Sequence, residues 1–172
     1  MNTLKKLQQY MGNRKALLPV SMVLSALSAL AGMLPYILIW FIVRELLAPG
    51  ETIVSGNIET YAWWAAGLAV GSVILYFAAL MASHLAAFRV ESNLRREAMR
   101  KIVQMPLGFF DYNTSGRIRK IIDDNAGITH SFLAHQMPDL AATFLVPLVA
   151  AILIFSFDWR LGLACMAPVI IS

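Results

Sequence analysis

The 172-residue sequence has a single cysteine, Cys165, and only 14% charged residues. One thiol excludes a scaffold held by internal disulfides. Charge at this level is well under the ~25% of soluble domains. With 59% hydrophobic residues and a mean hydropathy of +0.66, too little polar surface remains to cover a soluble core. The same apolar excess excludes a disordered chain. Catalytic signatures are missing too: there is no G-x-x-x-x-G-K-[ST] phosphate loop, no G-x-G-x-x-G after a strand and no H-E-x-x-H. A membrane enzyme needs a polar cluster within its apolar runs, and the runs contain none. What is present is apolar length, and it reads as an all-α integral membrane protein.

Leu17 to Val43 is 27 residues without a charge, and Tyr61 to Phe88 is 28 residues whose ionisable groups are tyrosines and His84. Both exceed the ~20 residues needed to cross a bilayer. Leu140 to Phe157 adds 18 uncharged residues, long enough to span if the helix begins near Met137. Leu161 to Ser172 is a fourth apolar run of 12 residues, expected to be the start of a further span cut short. The first run is too long for the ~7–15-residue core of a signal peptide and is expected to stay as a span.

Twelve of the fourteen lysines and arginines lie in the N-terminal tail or between the second and third runs. The positive-inside rule therefore places the N-terminus and the middle segment in the cytoplasm, with loops at 44–60 and 158–160 outside. Tyr61, Trp63, Trp64 and Trp159 then fall at the outer interface. The net charge of +4 is a topology signal on this reading. Nucleic-acid binding is disfavoured, because the basic residues flank spans and alternate with acids.

Leu4, Leu7 and Met11 recur at helical spacing, suggesting a short amphipathic helix over 2–11 on the membrane surface; a frayed tail is the alternative. No proline interrupts Tyr61 to Met105, so the second span continues into water. There Val90, Leu94, Ala98, Ile102 and Met105 form an apolar stripe beside Glu91–Arg95 and Glu97–Lys101 pairs. Pro106 and Gly108 are expected to end this helix, and residues 109–116 to form a turn. A second amphipathic stretch follows, through Ile118, Ile121, Ile122, Ala126, Phe132 and Leu133, and returns to the membrane. The pattern predicts two long helices joined at a polar tip.

At that tip Phe109, Phe110 and Tyr112 precede a basic run, Arg117-Ile118-Arg119-Lys120. These residues either dock into a cleft of a soluble partner or close the hairpin on themselves. Among the other candidates, His130 and His135 are five apart, a poor spacing for one α-helical face, and read as packing residues with no metal bound. His84 lies near the inner end of its span, as a packing residue or a functional one. Asp123, Asp124 and Asp139 read as a solvated face, and Cys165 as a small apolar residue. Gly67 and Gly71, and the row Ser21, Ser25 and Ala29, suit close helix packing. Pro19, Pro35 and Pro147 are candidates for kinks.

Met105-Pro106-Leu107-Gly108-Phe109-Phe110-Asp111, then Ser115-Gly116, then a basic isoleucine-rich helix with Asp123-Asp124, resembles the first intracellular loop of ABC-type exporters. The whole chain is similar to the first part of such a transmembrane domain: an elbow helix at 2–11, spans at 17–43, 61–88 (extended to about 105) and 137–157, an intracellular loop at 106–136, and a fourth span beginning at 161–172. The resemblance implies a coupling helix made of Thr114, Ser115, Gly116, Arg117, Ile118, Arg119 and Lys120, resting on a nucleotide-binding domain. It implies no catalytic residue and no cofactor in this chain, with ATP and magnesium bound by that missing or partner domain. It further implies a second transporter half, as homo- or heterodimer, in a cell inner membrane. The family usually carries one aspartate where Asn125 stands here. A different class remains open: a stand-alone small polytopic membrane protein whose hairpin binds or regulates a partner. Sequence beyond Ser172 separates the two.

Overall fold

A computed structural model describes residues 7, 9–47 and 55–171, and among these every regular element is helical. Of the amphipathic helix expected over 2–11, Leu7, Gln9 and Tyr10 have helical backbone, and the rest lies outside the described residues apart from Met11 in a turn. A 3-10 turn, Gly12–Arg14, leads into α1 (Leu17–Leu47). Then come α2 (Ser55–Val103), a five-residue α3 (Gly108–Tyr112) and α4 (Ser115–Ser131). A π-helical turn, Phe132–Gln136, joins α4 to α5 (Met137–Phe157), and α6 (Trp159–Ile171) follows. Three helical stretches, Gly12–Leu47, Asn57–Val103 and Ser115–Phe157, are long and apolar enough to cross a membrane. This is a multi-pass membrane protein.

Two helix ends differ from the sequence expectation. The loop expected at 44–60 shrinks, because α1 runs on to Leu47 and α2 starts at Ser55. Arg44 and Glu45 do not break a helix; the first strong breaker is Pro49-Gly50. Glu45 Oε1 accepts a hydrogen bond from Asn57 Nδ2 at 3.2 Å. At the other end, the turn expected over 109–116 is mostly helix: α3 takes up Gly108–Tyr112, and between α3 and α4 only Asn113 and Thr114 are non-helical. With 49 residues at ~1.5 Å each, α2 is roughly 74 Å long, more than twice the hydrocarbon thickness.

The chain divides into two compact units. The first holds residues 1–24 and 77–139. Its core is a cluster of Met11, Leu18, Ala87, Val90, Leu133, Ala134 and Met137, with Leu7, Tyr10, Met22 and Phe132 against it. Small residues on α2 (Ala79, Ser83, Ala86 and Ala87) are fully buried, recurring every three or four residues so that one helical face meets its neighbours. Asn93 Nδ2 donates to the Tyr10 carbonyl at 2.6 Å, tying the N-terminal segment to α2. Farther along the stripe burial fades: Leu94, Ala98 and Ile102 are half-buried and Met105 is exposed.

The second unit holds residues 25–76 and 140–172. Ser28 Oγ donates to the Ser72 carbonyl at 2.8 Å, and a Cβ on Gly32 would lie 3.7 Å from Ser72 Oγ. Here α1 and α2 approach closely. Gly67 and Gly71 do not serve this purpose, since a Cβ at either meets nothing within 4 Å. Trp40 packs on Phe157 with ring centroids 4.8 Å apart, and Phe41 stacks on Tyr61 at 5.9 Å. The guanidinium of Arg44 lies over the Trp40 ring and that of Arg160 over Trp159, each at 5.5 Å. Both contacts have the geometry of cation–π pairs, which suit an interface.

At the α5–α6 turn, Asp158 Oδ1 accepts the Arg160 amide at 2.8 Å and caps α6. One turn on, Gly162 is buried, and a Cβ there would come within 2.6 Å of Phe155 Cδ1. Gly162→Val is therefore expected to destabilise this hairpin by roughly 1–3 kcal/mol, the usual cost of overpacking. A lowered unfolding temperature in detergent, restored in a Gly162→Val/Phe155→Ala double variant, is the check; equal melting of wild type and Gly162→Val would refute it.

Candidate functional site: the polar hairpin and its histidine seam

The polar end of α2 closes through Gln104 and Met105, whose amides bond back to the Lys101 and Ile102 carbonyls at 3.2 and 3.0 Å. Pro106 and Leu107 then accept the first amides of α3. Phe109 and Phe110 stack edge to face with centroids 5.5 Å apart, and Asn113 Nδ2 donates to the Phe109 carbonyl at 3.1 Å. The hairpin thus closes partly on its own aromatics. Phe109 is half-buried, whereas Phe110 stays 39% exposed; the Tyr112 side chain lies outside the described set.

Thr114 is extended, with φ −64° and ψ 144°, and its carbonyl accepts the Ile118 amide at 3.1 Å. The seven residues expected to form a coupling segment are therefore this N-cap and the first turns of α4. Thr114, Ser115, Gly116, Arg117, Arg119 and Lys120 are exposed, and Ile118 is half-buried. A Cβ on Gly116 would meet nothing within 4 Å. Behind this face an apolar groove of about 390 Å³ lies between α2 and α4, floored by Met99, Ile102, Ile118 and Ile122 and bordered by Arg95 and Arg119.

A line of polar contacts runs from that border towards the π-turn. Arg119 Nε is 3.6 Å from Asp123 Oδ2, whose other oxygen is 3.3 Å from Arg95 Nε. Arg95 Nη2 reaches Glu91 Oε1 at 2.9 Å. Glu97 and Lys101, expected as a second such pair, are not brought to ion-pair distance among the described residues. Glu91 Oε2 in turn lies 2.9 Å from His130 Nδ1, an ion-pair distance without the alignment of a hydrogen bond. His84 sits in the middle of the imidazoles, with centroids 5.6 Å from His130 and 4.9 Å from His135. Phe88 covers His130 at 4.6 Å.

Sequence spacing set His130 and His135 apart, and the structure brings both against His84. The reason is the π-turn. Its i→i+5 bonding, seen in the Met137 amide bonding to the Phe132 carbonyl, returns the fifth residue to one face. The local cause is Pro138, which has no amide to offer the carbonyl four residues back. Ser83 Oγ from α2 reaches that carbonyl, of buried Ala134, at 2.8 Å, and shares its hydrogen with the Leu80 carbonyl of its own helix at the same distance. Proline in a buried helix was the available signal. Among the described residues no group of three or more His, Cys, Asp or Glu is arranged to hold a metal ion. Of the three aspartates expected on a solvated face, Asp123 pairs with two arginines.

Comparison with known proteins accounts for this architecture. Residues 13–172 match the ABC transporter transmembrane region. The chain is 30% identical over 157 residues to the mycobactin import ATP-binding/permease protein IrtA of Mycolicibacterium smegmatis, covering 91% of this chain and 18% of that protein. It is 31% identical over 154 residues to the protein of the same description from Mycobacterium tuberculosis, covering 90% and 18%. A Dictyostelium discoideum serine protease/ABC transporter B family protein, tagA, is 23% identical over 124 residues, 72% of this chain and 7% of its own length. The chain thus spans less than a fifth of these relatives. By the extent of the family match, it belongs to the ABC transporter transmembrane-region family.

Proposed function

We propose that this chain is membrane-spanning sequence of an ATP-driven transporter, contributing to the substrate pathway and linking it to a nucleotide-binding domain through Thr114–Lys120. The observation that carries the reading is the exposed start of α4, set at the tip of a hairpin whose α2 arm alone is 49 residues long. Helices of that reach have a purpose only if something meets them beyond the membrane. The chain contributes no catalytic group; ATP and magnesium belong to the nucleotide-binding domain, in the same polypeptide or a partner. The two IrtA relatives are described as ATP-binding/permease proteins, which supports a domain of that kind as the neighbour. A second transporter half completes the pathway as homo- or heterodimer. The basic bias supports a hairpin and an N-terminus on the cytoplasmic side, in what we read as a cell inner membrane.

Direction is a separate matter from helix plan. The exporter-like plan leads to an expectation of export, while the two IrtA relatives are described as mycobactin import proteins. We therefore read the transport as inward, with a cargo of the class those relatives carry. The contact itself is tested by an Arg117→Cys variant in a Cys165→Ser background of the full-length transporter. A short bismaleimide is expected to join it to a cysteine placed on the nucleotide-binding domain, in a reaction that ATP modulates. Absence of any such product across a scan of that domain's membrane-facing surface removes the assignment.

A further inference from the structure

We propose that His84, His130 and His135 form a proton-operated latch on the seam between α2 and α4, one that loosens the hairpin as pH falls. The inference rests on the reading of the α4 start as a coupling surface, because the same line of contacts ends at Arg119.

Three imidazoles from three elements, α2, α4 and the π-turn, lie with centroids 4.9 and 5.6 Å from the central one. His84 meets His135 edge to face and lies tilted against His130. As cations they repel at short range. The charged groups around them are few. On α2, Glu91 is the carboxylate beside His130, and it is already shared with Arg95. On α4, Asp123 is shared between Arg95 and Arg119. On α5, Asp139 stands four residues past His135. From the N-terminal turn, Arg14 Nη1 reaches the Leu85 carbonyl at 3.5 Å, bringing a positive charge to the residue that follows His84 on α2. Glu91, in contact with His130, offers one negative charge against three imidazoles, so full protonation leaves positive charge in excess. The protons have a way in, since His135 is exposed.

Relief comes at the weakest part of the seam. The π-turn is already a break in the regular helix ladder, secured across the seam by Ser83 on the Ala134 carbonyl. Protonation sets an imidazolium on α2, at His84, against imidazolium on α4 and the π-turn, at His130 and His135, and that repulsion acts across the seam against the Glu91–His130 pair. Separation of α4 from α2 is the expected result, transmitted to the face at Thr114–Lys120.

The test uses the full-length transporter in lipid nanodiscs, Cys165→Ser, with spin labels at Arg96→Cys on α2 and Asp124→Cys on α4. Between pH 7.5 and 5.5 the long-distance population is expected to rise at least about threefold, through one midpoint. His135→Gln, at an exposed position, is expected to move the midpoint, and the His84→Gln/His130→Gln/His135→Gln variant to abolish the response. A pH-independent distance, a response surviving in the triple variant, or a change produced by a metal chelator at constant pH overturns the latch. ATP hydrolysis and cargo uptake measured on the same samples separate the two readings. If the seam opens while the ratio of uptake to hydrolysis stays constant, the latch stands and the coupling surface falls.

Discussion

Gly116→Leu in the full-length transporter is expected to cut cargo transport at least about tenfold, some 1.4 kcal/mol of lost linkage, while ATP hydrolysis continues. The force of the prediction is that folding and function should move in opposite directions. Within the chain, a side chain at 116 meets open space. Gly116 lies in the first turn of a 17-residue helix, where leucine is a better helix former than glycine by up to about 1 kcal/mol. The variant should therefore melt no lower than wild type. Any loss of transport must come from something that packs on this surface from outside. Reversing the charge of Arg119 and Lys120 probes the same face. The Arg119 side chain is 85% exposed and its 3.6 Å contact to Asp123 is long, so its loss costs the fold little. Unchanged transport per ATP in both variants would show that the α4 start is not where movement is passed on.

Ser83→Ala is expected to destabilise the protein by about 1–3 kcal/mol, an unusual cost for removing one hydroxyl. The hydroxyl is fully buried and its one hydrogen is shared between the Leu80 and Ala134 carbonyls, each at 2.8 Å, and the second lacks its normal partner because residue 138 is proline. Removal leaves a buried acceptor with no donor. Pro138→Ala restores an amide at that position, so the carbonyl has an intrahelical partner and Ser83 becomes dispensable. A double-mutant cycle by thermal unfolding in detergent should accordingly show strong coupling between positions 83 and 138. Additive effects would mean that the hydroxyl and the proline act independently, and that the π-turn has another cause.

The membrane character and the hairpin were legible in the sequence because they depend on quantities that survive without tertiary context. A proline-free stretch from Tyr61 to Met105 and a charge bias of twelve residues in fourteen need no knowledge of neighbours. The motif around Met105–Asp111 with Gly116 led to the family that residues 13–172 match. The histidine seam was not legible for a specific reason. Helical periodicity assumes 3.6 residues per turn, and that assumption fails where Pro138 opens the ladder, so His130 and His135 appeared to diverge. Gly67 and Gly71 failed in the opposite way. Their spacing suits a close helix contact, but spacing cannot name the partner, and the close approach in that unit occurs at Gly32. The start of α3 was missed because Gly108, Asp111 and Asn113 are turn formers by composition, while Phe109 and Phe110 pack well enough to hold one helical turn.

The π-turn also carries a consequence for how this chain should be aligned with others. A π-turn is an α-helix with one residue too many, accommodated by widening a single turn. Deleting one residue anywhere in 132–136 would let the helix close normally, and would swing Pro138 and Asp139 by about 100° around its axis. A homologue lacking the proline has no need of the extra residue. Alignments that force a gapless match through this segment will therefore pair residues about 100° apart around the helix, and will make a shared seam look unrelated. A one-residue gap between Ser131 and Met137, paired with loss of proline at 138, is the sequence mark of a relative built without the bulge.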